Sequence, residues 1–78
     1  MKFTGKAKEI QEALGLNQKD MEFLANYGYL DALTMFDGDF SQRLKEQFME
    51  MEGMEAEIDG PLYESKDIPT YNSILRKI

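Results

Sequence analysis

Ala7, Ile10, Ala13 and Leu14 recur at helical spacing, and Gly15 follows at once. The first segment therefore reads as a helix from about Gly5 to Leu14, closed by a glycine, with Leu16 packing back against it. Asn17 then stands before Gln18, Lys19 and Asp20, which places a side-chain acceptor at an N-cap and a carboxylate three positions on. That arrangement approaches a capping box and predicts the start of a second helix.

Between Met21 and Phe36, apolar residues fall on every side of a helical projection: Met21, Phe23, Leu24, Ala25, Tyr27, Tyr29, Leu30, Ala32, Leu33, Met35 and Phe36. A helix apolar all round belongs in the middle of a fold, so this segment is expected to be central. Gly28 interrupts it, and because glycine weakens a helix interior by about 1 kcal/mol relative to alanine, a break or kink is expected there. Asp37-Gly38-Asp39 ends the segment, and Asp39 is placed to cap a third stretch in which Phe40, Leu44, Phe48 and Met51 form one narrow stripe ending near Gly53.

Met54, Ala56 and Ile58 alternate with Glu55, Glu57 and Asp59 ahead of Gly60-Pro61, a pattern shared by a short edge strand and an acidic loop; irregular structure is expected. Asp67 is expected to cap a last helix with Pro69 in its first turn. Tyr71, Ile74, Leu75 and Ile78 share one face of it, and Arg76 and Lys77 suit the C-terminal dipole. These signals together predict an all-α fold: a small bundle of three to five short helices with a central apolar helix, and an irregular acidic segment near residues 53-67.

The chain has 78 residues and no Pro-rich or Ser/Gly-rich divider, so one acidic helical domain over residues 1-78 is expected. With no cysteine and no histidine, neither disulfides nor the usual zinc ligands are available to brace it. Lys2, Lys6, Lys8 and Glu9 interrupt any apolar run near the N-terminus, and no stretch approaches the roughly 20 apolar residues of a membrane span. A soluble, cytoplasmic protein without membrane contact is the expectation.

Charge changes the picture more than composition does. The net charge is -6, yet residues 1-19 and 65-78 are each +2, while residues 20-64 hold twelve acids against only Arg43 and Lys45, a net -10. The third predicted helix also defies local preference. Glu46 and Glu50 are like charges one turn apart, and Glu50 and Glu52 lie in the last turn, where the dipole favours cations. Met49, opposite the apolar stripe, is expected to stand exposed among Lys45, Glu46, Glu50 and Glu52, an arrangement suited to a partner-binding surface. The same run of charge also suits a solvated face that serves only to keep the protein in solution.

Several motifs fail on inspection. Asp37, Asp39 and Ser41 mimic the start of a calcium loop, but Gln42 stands where glycine is needed, Arg43 at the seventh position and Phe48 in place of the bidentate glutamate, so no metal site is expected. Gly15-Leu16-Asn17-Gln18 followed by Met21 and Ala25 resembles the opening of a repressor-type helix-turn-helix, which would imply DNA binding through a following recognition helix. The sequence then departs from that pattern: Glu22 replaces a small residue, Tyr27 and Gly28 do not fit the turn, and no basic recognition helix follows. Acidic downstream helices also cannot displace counterions, so direct nucleic-acid binding is not expected. Neither histidine nor cysteine is present, and Ser41, Ser65 and Ser73 lie in no nucleophile motif, so neither an enzyme nor a cofactor is expected. Tyr27, Tyr29, Tyr63 and Tyr71 have the chemistry to stack a ligand, but at helical spacing aromatics more often build a core.

The expected function is a non-enzymatic protein-binding module or inhibitor that docks its acidic surface on a basic protein partner. A nucleic-acid-processing protein is one such partner, with carboxylates standing in for phosphates in its groove. The expected contact residues are Glu46, Met49, Glu50, Glu52, Met54, Glu55, Glu57 and Asp59, with Met49, Met51 and Met54 as apolar anchors. The alternative is a helical homo-oligomer whose copies share the apolar segment 21-36, with a small ligand bound between subunits.

Overall fold

Helix α1 (Gly5–Leu14) stops where the sequence places its glycine. Gly15 adopts φ +66°, and its N–H bonds to Glu12 O while Leu16 N bonds to Gln11 O, the paired closure of a Schellman motif. Leu16 is thereby turned inward and buried. Helix α2 (Gln18–Asn26) begins with a complete capping box: Asp20 N donates to Asn17 Oδ1 at 2.8 Å, and Asn17 N donates to Asp20 Oδ2 at 3.4 Å.

The computed structural model describes residues 2-55 and 60-78, the side chain of Glu55 excepted. Among these residues there are five α-helices and no strand, an all-α bundle. Gly28 breaks the central apolar segment. It sits at φ +82°, which a side-chain-bearing residue adopts only at a cost, and this turn separates α2 from the short helix α3 (Tyr29–Thr34). Helix α4 (Phe40–Glu55) follows, then a 3-10 turn (Ser65–Asp67) and helix α5 (Ile68–Lys77).

α3 lies between α1 and α4, which also touch each other, and α2 joins α3 to α5. One cluster of buried side chains runs through all of them, from Phe3 and Ile10 through Met21, Leu24 and Leu33 to Leu44, Phe48 and Ile74. No helix among the described residues is long and apolar enough to cross a membrane.

Four details differ from the sequence expectations. α4 continues to Glu55 because Gly53 stays out of the left-handed region that would have stopped the helix. Asp67 does not cap α5 through its side chain; its carboxylate instead accepts the Tyr27 hydroxyl at 2.8 Å. Met35 is 88% exposed despite belonging to the apolar segment, because α3 ends at Thr34 and leaves it beyond the last turn. On α5, Leu75 is 39% exposed where Ile74 is fully buried, so the apolar face is narrower than the letters imply. The alternation at Ala56, Glu57, Ile58 and Asp59 lies outside the described residues.

Candidate partner-binding surface

α4 is positioned by its N-terminal cap and one buried face. Asp39 Oδ1 accepts from Ser41 N at 3.0 Å and Gln42 N at 3.3 Å, so the expected cap is formed. Leu44 and Phe48 are fully buried, with Phe40 and Met51 packed on the same core. At 3.6 residues per turn this locks the helix about its axis and aims Glu46, Met49 and Glu50 away from the bundle. Met49 is 70% exposed, and Lys45, Glu46 and Glu50 are exposed around it.

The described contact residues expected from sequence are spread around the exposed half of α4. Glu46, Met49 and Glu50 share the outward face. Within it, Glu46 is held by Arg43, whose Nη1 lies 3.3 Å from Oε2, and by Gln42 Nε2 at 3.3 Å. The Arg43 contact offsets the like-charge pairing of Glu46 with Glu50, and such an exposed pair contributes at most about 1 kcal/mol. Glu52 turns to one flank, where it accepts the Tyr71 hydroxyl. Met54, half-exposed, turns to the opposite flank. Met51 is partly buried and packs against the core. Glu55 closes the helix, its side chain outside the described set, and Glu57 and Asp59 lie outside the described residues altogether.

On the Glu52 flank, sequence reasoning missed a second feature: an open cleft of about 200 Å³ between the C-terminal half of α4, residues Pro61–Tyr63 and α5. Its floor is aromatic. Tyr63 and Tyr71 lie 4.8 Å apart by ring centroids, Tyr71 meets Phe48 edge-on at 4.9 Å, and Phe23 lies 5.2 Å from Tyr63. These contacts make the tyrosines part of the core, as their spacing suggested.

Hydrogen bonds fix the same rings. Tyr29 and Tyr63 share a hydrogen bond between their hydroxyls, and Glu64 N donates to Tyr27 Oη at 3.3 Å. Burial pushes the Tyr63 phenol well above its ordinary range, reinforced by its hydrogen bond to Tyr29, and burial raises Tyr29 as well. For Tyr27 the Glu64 amide pulls the pKa down. The bond to the Asp67 carboxylate, with burial, outweighs it and leaves the group raised.

Among the described residues, no three His, Cys, Asp or Glu side chains converge as a metal site. Asp37, the first letter of the calcium-like run, faces Lys6 Nζ at 3.6 Å. No protein-family model matches this chain, and no curated protein and no solved structure matches it.

Proposed function

We propose that the chain is a non-catalytic protein-binding module that docks the outward face of α4 on a basic partner, with Met49 as an apolar anchor and Glu46 and Glu50 as its acidic rim. One observation carries this reading: a methionine 70% exposed in mid-helix, flanked by carboxylates, on a helix whose other face buries Leu44 and Phe48. Methionine adapts its shape to many apolar surfaces, and the surrounding charge steers and selects oppositely charged partners. In its finer form the partner is a nucleic-acid-processing protein, and the carboxylates occupy its phosphate-binding positions. The net -10 of residues 20-64 supports that form.

The test is capture of partners from lysate of the source cell at low and high salt, with Glu46→Lys/Glu50→Lys as the control. A basic protein retained by the unaltered chain, released by salt and lost with the double variant is the expected result. Release of that protein by added duplex DNA supports the phosphate-mimic form. Retention unchanged by the double variant eliminates this face as the site.

A further inference from the structure

The cleft beside Glu52 has the features of an anchoring pocket. Its volume of about 200 Å³ lies below the roughly 300–1,000 Å³ of pockets that enclose small-molecule ligands, and suits a single large side chain. Leu62, Tyr63, Ile68 and Tyr71 give it apolar walls, and Ile68 is 43% exposed although it opens α5, where a polar residue would serve as well. The walls are already ordered. Tyr63 is buried and bonded to Tyr29, and Tyr71 is held by Glu52 and by the Phe48 and Tyr63 rings. A partner side chain entering here would not have to organise them, which removes one of the usual costs of association.

Charge selects the occupant. Glu52 lines the cleft and belongs to the acid-rich stretch 20-64. An ionised carboxylate accepts as many as about four hydrogen bonds, so donation from Tyr71 leaves it able to accept from a cation. Glu52 is also three residues from Met49, adjacent to it on the helix surface, so the cleft borders the face assigned to docking.

Building on that reading of α4, we propose that the cleft receives one large apolar side chain of the basic partner while a lysine or arginine beside that side chain pairs with Glu52. The recognised element is thus an apolar–basic pair on one partner segment, and the interface has two anchors: Met49 projecting outward and this pocket receiving.

The tripeptide acetyl-Lys-Trp-Lys-amide serves as the probe, followed by amide chemical shifts in the ¹⁵N-labelled protein at low salt. Saturable shifts centred on Leu62, Ile68, Tyr71 and Glu52 are expected. Acetyl-Lys-Ala-Lys-amide should leave these signals in place, and acetyl-Glu-Trp-Glu-amide should bind at least about tenfold more weakly. Glu52→Gln should weaken the Lys-Trp-Lys probe by about three- to tenfold while leaving a neutral Ser-Trp-Ser probe unchanged, a split that loss of folding would not produce. Ile68→Asp, with its helicity checked by circular dichroism, should abolish binding of both.

Equal binding of the acidic and basic tryptophan probes, or no cleft shifts at saturating probe, overturns the proposal. Shifts confined to Glu46, Met49 and Glu50 overturn the cleft and leave the α4 docking face standing. Cleft shifts combined with partner capture indifferent to Glu46→Lys/Glu50→Lys support the pocket and remove the α4 face.

Discussion

Lys77 Nζ lies 2.5 Å from Oδ2 of Asp20, joining the last turn of α5 to the first turn of α2 across 57 positions of sequence. Asp20 is only 2% exposed and is the same carboxylate that closes the capping box with Asn17. One side chain therefore satisfies a helix start and anchors a second helix. Removing one partner of a buried pair leaves the other charge uncompensated, which costs more than the pair's net worth. Lys77→Met is expected to destabilise by about 1–3 kcal/mol, moderated because its side chain is 30% exposed. Asp20→Ala, which also removes the cap, should cost about 2–4 kcal/mol. Urea unfolding of both variants and the double variant should show less than additive loss, since the two residues act as one unit.

Gly28 makes a second, purely backbone prediction. Its φ of +82° lies in the left-handed region, and a Cβ built there meets nothing within 4 Å. Gly28→Ala should therefore cost about 1–2 kcal/mol from conformation alone, and Gly28→Asn less, because asparagine tolerates that region. If thermal unfolding instead showed alanine neutral or stabilising, α2 and α3 would be one continuous helix.

The contrast between these two sites shows what was legible in the sequence. The Gly15 closure, the Asn17–Asp20 box, the Gly28 break and the Asp39 cap all depend on residues a few positions apart, so the letters contain both partners. Asp20–Lys77 and Tyr27–Asp67 join residues remote in sequence, and nothing in either local pattern names its partner. The candidate surface divides in the same way. Exposure of Met49 follows from helical period alone, whereas the cleft needs Glu52, Leu62 and Tyr71 from three separate segments. The contact of Glu52 with Tyr71 was not legible for that reason: helical charge statistics do not reveal a tyrosine nineteen residues downstream.

The buried tyrosines predict loss of stability in alkali. Tyr63 and Tyr29 have folded-state pKa values raised by burial above the ordinary phenol value of about 10. Above that pH the unfolded chain releases protons that the folded chain retains. Stability is thus full below about pH 10 and declines as pH rises through and beyond it. Spectrophotometric titration should show Tyr63 and Tyr29 ionising only as circular dichroism reports unfolding. Tyr63→Phe should flatten the alkaline decline while costing about 1 kcal/mol at neutral pH through the lost bond to Tyr29.

Oligomeric state is a separate expectation. The apolar segment 21-36 suggested burial between copies, but Met21, Phe23, Leu24, Tyr29, Leu30 and Leu33 are all covered within one chain. Sedimentation equilibrium is expected to give the monomer mass of 9.0 kDa at micromolar concentration. A dimer would instead direct attention to the exposed Met35, Ile68 and Leu75 as its contacts.

The two faces of α4 predict opposite mutational profiles. Leu44 is fully buried in the common core, so Leu44→Ala should cost about 2–5 kcal/mol through lost transfer energy and the cavity left behind. Met49 contacts mostly solvent, and Met49→Ser should change stability by no more than about 0.5 kcal/mol. Partner capture should show the reverse order among folded molecules: weakened by Met49→Ser, and unchanged by Leu44→Met, which keeps the core nearly filled. A surface kept acidic only for solubility predicts no effect of Met49→Ser on capture, since serine preserves every charge. Measuring stability and capture on the same variants therefore separates an apolar anchor from a solvated helix face.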